Sequence, residues 1–334
     1  MSAREKLACS VLLALAPPAL AHHSAAAYDT QKEVRLTGTV VQYRYANPHV
    51  YLTLETQKDD GSTVTVEIEA GAASVLNGLG FTARSIASGD VVTVMGNPAR
   101  ARPDASLLGK ELYKQDGSYV PLNIRSRSAY EAQTAIATSI AGTWFSPSTE
   151  FYGFTGGVGK WALTEKGRAA FDNANRRDTA VSDCIPVGAP TLMFYPVAST
   201  IAVERDRVVL TVDWMDSQRI VYLDGRAHPP ASQTFLQGHS IGHWEGEALV
   251  VETTNFAEHP LGLTLSMPAS AEKRLTERFA VGEDGKSLDY SGVVEDPVYL
   301  AEPVKWAGKW QYRPNMPHSN QKCDPEVARR FLLR

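Results

Sequence analysis

Between Arg219 and Glu252 the sequence crowds residues that can move protons or hold anions: Asp224, Arg226, His228, His239, Ser240, His243, Glu245 and Glu252. An aspartate can fix a histidine tautomer through one ring N–H and leave the other nitrogen as a general base near neutral pH. On that chemistry His228 and His239 are expected as base and acid, with Asp224 orienting the base. Arg226 is expected to hold an anion or a developing oxyanion, and Glu245 to supply a nearby carboxylate. Arg219, Tyr222, Trp244, Phe256 and Glu277 complete the expected substrate-binding set. The same residues would also make a plain turn, in which Asp224 bonds its own backbone and Arg226 is solvated.

Three further patterns carry chemistry. Gly238-His-Ser240-Ile-Gly242 matches the pattern of a hydrolase nucleophile elbow, which needs a strand-to-helix turn. Here Trp244-Glu-Gly-Glu247 and another apolar run follow, so Ser240 lacks that context. His22, if it becomes the first residue of a processed chain, offers an α-amine and an imidazole together. With a third nitrogen from His49 these would give the square-planar donor set that Cu(II) prefers, and His23 adds a ligand. Carboxylates such as Glu277, Glu295 and Asp296 would act as acids if enclosed in a barrel, and as surface ion-pair partners if not.

Strands must position these groups, because the apolar residues alternate with period two. In the first third, Val34–Tyr43, Val50–Thr56, Thr63–Glu69, Asp90–Gly96 and Gly109–Val120 alternate, with a short helix expected over 71–86. Three strands, a helix and two strands is the order of an OB-fold barrel. Further strands are expected at Ser199–Glu204, Arg207–Trp214, Arg219–Leu223, Ala248–Thr254, Arg274–Val281 and Ser287–Val294, with a helix near Glu165–Ala174. A mostly β chain follows: an OB-like domain (22–125), a linker (126–140) and a larger antiparallel, lipocalin-like barrel (141–334).

The first 21 residues read as a secretory signal peptide. Arg4 and Lys6 precede the apolar run Leu7–Leu15, and Ala19-Leu-Ala21 is a small-x-small cleavage site. A periplasmic or secreted location is therefore expected, with no integral membrane segment. Cys9 would leave with the leader, so Cys184 and Cys323 are expected to form one disulfide. The net charge of −4 argues against nucleic acid and anionic membranes as partners. No nucleotide-binding glycine loop or His-Glu-x-x-His is present, so no cofactor is expected beyond the copper reading.

The long motifs resemble a family of secreted bacterial two-domain proteins whose function is unassigned. They are His22-His-Ser24, Asn47-Pro-His49, Cys184–Pro190, Tyr222–Pro229, Gly238–Gly246, Glu277-Arg-Phe279 and Glu295-Asp-Pro297. The resemblance implies a shared fold and no reaction. One position departs from the family pattern: Ala269 follows Pro268 where a polar residue or histidine is expected.

The favoured reading is binding of a small apolar or aromatic molecule in the larger barrel, with cofactor-free acid–base conversion (lyase, isomerase or hydrolase) as its extension. The abundance of large aromatics suits such a ligand. The competing readings are a copper protein built on His22 and His49, and a structural envelope protein.

Overall fold

The computed structural model describes residues 27–58, 60–123, 135–174 and 180–330. The proposed leader, Cys9, His22, His23, Ser24 and most of the proposed linker lie outside them. The remaining chain forms a small barrel followed by a larger one.

The small barrel contains β1 (Val34–Arg44), β2 (Tyr51–Gln57), β3 (Thr63–Glu69), α1 (Ala73–Gly78), β4 (Val91–Pro98), β5 (Ser106–Lys114) and β6 (Tyr119–Pro121). The sheet runs β3-β2-β1-β4-β5-β6, and a parallel β3–β5 pairing closes it into the expected OB-like topology. Alternation explains the closure. Leu52 and Leu54, Val66 and Ile68, and Val92 and Val94 all turn inward and form one buried cluster. Each such buried side chain contributes about 1.5–3 kcal/mol. The expected helix over 71–86 shrinks to six residues. At Gly78 a Cβ would lie 2.2 Å from the Met316 methyl carbon, so the glycine permits close approach of the C-terminal chain.

The larger unit contains β7 (Gly142–Phe145), α2 (Ser148–Thr155), α3 (Glu165–Asp172), β8 (Ala198–Val203), β9 (Arg207–Val212), β10 (Ser217–Tyr222), β11 (His239–Glu245) and β12 (Ala248–Thr254). It continues with β13 (His259–Thr264), β14 (Met267–Ala269), β15 (Arg274–Val281), β16 (Ser287–Glu295), β17 (Val304–Tyr312) and α4 (Pro325–Arg329). Nine strands close in the order β10-β11-β12-β15-β16-β17-β7-β8-β9, while β13 and β14 form a separate ribbon.

One contact in the barrel departs from the expected antiparallel pattern: β10 and β11 run parallel. Parallel neighbours need a long crossover instead of a hairpin, and the crossover from Leu223 to Gly238 carries Asp224, Arg226 and His228. This contact comprises two residue pairs, Val221–Ser240 and Tyr222–Ile241. The β17–β7 contact is equally short, pairing Gln311 with Phe145 and Tyr312 with Trp144.

Aromatic side chains fill the ring where a lipocalin-like cavity was expected. Phe279 stacks on Tyr290 at 4.9 Å, and Tyr290 lies 5.0 Å from Trp310. From one side Phe194 reaches Tyr290 at 5.4 Å and stacks on Phe154 of α2 at 4.6 Å. The interior is therefore a packed core.

The chain after β17 returns to the small barrel, so 141–334 is not confined to the large one. Cys323 is bonded to Cys184, and the next residue, Asp324, pairs with Arg44 of β1. The Asn47 amide donates to the Gln321 carbonyl at 2.8 Å, and Asn77 donates to that of Pro317 at 2.7 Å. Val327 packs with Ala46 and Tyr51. Ala269 is explained by packing: it is 2 % exposed, and a Cβ on Gly262 would approach its own to 2.3 Å.

Candidate functional site

Strand alternation divides the expected site residues between two faces of the barrel wall. On β10, Ser217, Arg219 and Val221 are buried, while Gln218, Ile220 and Tyr222 alternate with them. Ser240 and Thr253 turn inward on β11 and β12; His239 and Glu252 turn outward. Two distinct constellations result.

The inner one is a buried ion pair. Arg219 donates to Glu277 through Nη1 at 2.9 Å and Nη2 at 2.5 Å. Their exposures are 2 % and 1 %, so each charge depends on the other for solvation. The Tyr290 hydroxyl donates to Glu277 at 2.8 Å, and Arg219 Nη2 donates to Thr253 at 3.2 Å. Thr253 in turn bonds Ser240 at 2.8 Å. Ser240 is thus a member of a buried polar network, with no base beside it. Burial and the Glu277 charge push the Tyr290 hydroxyl well above its ordinary pKa.

The outer constellation is a histidine pair. His228 Nδ1 and His239 Nδ1 lie 2.9 Å apart. One of these nitrogens must carry the shared proton and the other must accept it. In the neutral pair the donor ring then has a bare Nε2 and the acceptor ring a protonated one. His228 Nε2 is buried, and the Glu252 carboxylate lies 3.8 Å from it. That carboxylate favours a proton on His228 Nε2, which makes His239 the Nδ1 donor and leaves His239 Nε2 bare. The geometry thus favours His239 as base, the reverse of the expected roles. Burial, then the neighbouring His228 and Arg226, hold His239 below the usual imidazole pKa.

The elements around the pair fix it. Tyr222 stacks on the His239 ring at 5.2 Å, and Arg226 lies over the Tyr222 ring at 3.7 Å. Asn255, at φ +55, donates through Nδ2 to the carbonyls of Pro229, Pro230 and Gln233. It thereby pins the crossover that presents His228. Gly238, at φ +72, enters β11 where a Cβ would lie 2.5 Å from Thr253.

Each ring faces a different cleft. His228 lines one of about 820 Å3 together with Glu252, Asn255, Glu272, Lys273 and Asp296. His239 lines a second, of about 490 Å3, with Met215, Ile220, Tyr222, Phe235 and Leu236. Phe235 is 43 % exposed and Leu236 36 %, so the second cleft presents apolar surface to solvent.

Other expected residues stand elsewhere. Asp224 is engaged by Arg226 at 2.8 and 3.0 Å through Nε and at 2.5 Å through Nη2, so it orients the arginine and not a histidine. Arg226 is correspondingly not a free clamp. Glu245 and Trp244 lie at the far end of β11, about 17–20 Å along the strand from His239. There Glu245 pairs with Arg278 at 3.0 Å. Phe256 is fully buried. His49 lies in the small barrel, its Nδ1 3.1 Å from the Ala70 carbonyl and 3.4 Å from Glu69. Among the described residues no cluster of three metal-ligating side chains occurs.

Lys273 and His259 are among the buried titratable groups with no signal in the sequence. Lys273 is 2 % exposed and donates to the carbonyls of Ala189 at 2.7 Å and Gly262 at 2.8 Å, over the Phe256 ring at 3.9 Å. Burial lowers its pKa to about 7, against the opposing pull of Asp296. His259 accepts from the Leu261 N–H at 2.8 Å; burial and then Lys273 lower its pKa to about 4. The Cys184–Pro190 motif explains part of this. Its Gly188 lets the loop lie against Lys273, and Gln237 bonds both Ala189 N–H and the Val187 carbonyl.

No curated protein matches the chain. Residues 10–107, which reach from before the described residues into β5, match the model of a family of unknown function, DUF6152.

Proposed function

We propose that this is a periplasmic or secreted protein that binds a small apolar or aromatic molecule in the cleft between β10 and the 235–238 segment. His239 moves a proton on that molecule without a cofactor. The observation that carries the reading is the 2.9 Å His228–His239 bond at the wall of a cleft with exposed aromatic surface. Glu252, His228 and His239 form a chain in which a carboxylate sets one imidazole and that imidazole sets the next. The Cys184–Cys323 disulfide supports the oxidising compartment.

The test is native mass spectrometry of the protein purified from its own cell envelope, with and without His239→Ala and Phe235→Asp. A bound organic mass of a few hundred daltons, lost in Phe235→Asp, is expected. Loss of turnover of that compound in His239→Ala completes the case. A protein that carries no organic mass, or one that keeps full turnover without His239, sinks the proposal.

One observation favours a second reading, copper held by His22 and His49. The Ala70 carbonyl and Glu69 place the His49 proton on Nδ1, which leaves Nε2 as a ligand. Addition of one residue before His22 would abolish such a site, and copper binding that survives it refutes this reading.

A further inference from the structure

The cleft beside His239 has a feature that apolar binding does not use. Below Val221 the strands β10 and β11 part, because their pairing covers only Val221 and Tyr222. The cleft therefore opens against the bare edge of β10 and is lined from both of its faces, by Ser217 and Arg219 as well as by Ile220 and Tyr222. Ser217 is 5 % exposed and Arg219 2 %. Arg219 Nε and Ser217 Oγ are both buried, and neither has a hydrogen-bonding partner among the described residues. Buried donors without partners lose their hydration and gain nothing in return. Two of them on alternate residues of one strand, lining one cleft, mark where an acceptor belongs.

The charge balance decides which acceptor. Both terminal nitrogens of Arg219 already bond the Glu277 carboxylate, so its charge is neutralised. A second carboxylate at Nε would meet Glu277 repulsion without a free positive charge to offset it. A neutral oxygen meets a directed N–H donor at no such cost.

We infer that the ligand of this cleft carries a neutral carbonyl oxygen beside its apolar body, held by Arg219 Nε–H and the Ser217 hydroxyl. This rests on the cleft reading proposed above and adds the functional group to it. A carbonyl also acidifies a neighbouring C–H toward the range a histidine base can address.

The experiment compares three probes of equal ring size: 2-acetylnaphthalene, 2-naphthoate and 2-ethylnaphthalene. Each is titrated into the oxidised protein and its Ser217→Ala variant, with the His239 ring resonances of 15N-histidine-labelled protein marking occupancy. The ketone is expected to bind about tenfold or more tighter than the hydrocarbon, the gain from giving two buried donors the acceptor they lack. It should also bind at least tenfold more tightly than the carboxylate. Ser217→Ala should weaken the ketone about three- to tenfold and leave the hydrocarbon unchanged. Equal affinity for ketone and hydrocarbon, or tightest binding of the carboxylate, overturns the carbonyl inference while shifts at His239 keep the cleft. If no probe moves the His239 resonances, the cleft and the inference fall together.

Discussion

Removal of Glu277 should unfold the larger barrel far more readily than removal of the whole ion pair. In Glu277→Gln the Arg219 guanidinium, 2 % exposed, keeps its charge and loses its counterion. Breaking one side of a buried pair costs about 3–5 kcal/mol, and the weakened acceptor of the Tyr290 hydroxyl adds about 1 kcal/mol. The expected loss is about 4–6 kcal/mol. The double change Arg219→Met with Glu277→Leu removes both charges and refills the space with apolar atoms. It should fall within about 2 kcal/mol of the original protein. All six tryptophans lie at or beyond Trp144, so urea unfolding followed by tryptophan fluorescence reads the larger barrel alone. A Glu277→Gln loss below about 1 kcal/mol, or a double variant as unstable as the single one, refutes the reasoning.

The other predictions concern protons, the crossover and the disulfide. His259 has a folded pKa of about 4, below its unfolded value, so the unfolded chain binds the proton first. Stability should therefore fall by up to about 1.4 kcal/mol per unit as pH drops from about 6.5 toward 4. Urea midpoints of His259→Leu should lack this slope; an unchanged slope contradicts it. Lys273, at about 7 when folded, also binds fewer protons than the unfolded chain. Stability should rise with pH from about 7 to about 10.4, and parallel pH profiles for the original protein and Lys273→Met would count against this. Asn255→Ala removes three carbonyl contacts and puts at φ +55 a residue that tolerates this region less well than asparagine. It should cost about 2–3 kcal/mol and shift the His228 ring resonances, whereas unaltered resonances would show that the clamp does not set His228. Reduction of Cys184–Cys323, 139 residues apart, should destabilise the protein by up to about 4–5 kcal/mol and raise hydrogen exchange at Asn47 and Asp324. Exchange that stays unchanged there would separate the disulfide from docking of the C-terminal chain.

Much of the fold was legible because its cause is local. The alternation in Ala248–Thr254 and Arg274–Val281 gave strands with those bounds, and the strand–helix–strand order of the first third gave the small barrel. The separation of the candidate site was also latent in that alternation, since within each of β10, β11 and β12 successive residues face opposite ways. What assigned the roles was not local. Asp224 was expected to serve His228, but Arg226, two residues away on the same turn, takes it first. The filled barrel interior depends on Phe154 and Phe194, which come from segments with no strand pattern. Lys273 carries no sequence signal, since its partners are carbonyls of Ala189 and Gly262, distant in sequence or hidden in the backbone. The strand Val304–Tyr312 was missed although Val304, Trp306 and Trp310 alternate with exposed residues.

Two of the contacts that close the larger barrel are only two residue pairs long, β10–β11 and β17–β7. Mechanically, the barrel is two shells, one of four strands and one of five, that meet along a pair of short seams. Arg219 belongs to the first shell and Glu277 to the second, so their bond is a clasp across one seam. The cleft opens at that same seam, with Tyr222 on one lip and His239 on the other. A molecule seated there would touch both shells at once, and its binding would latch the barrel shut.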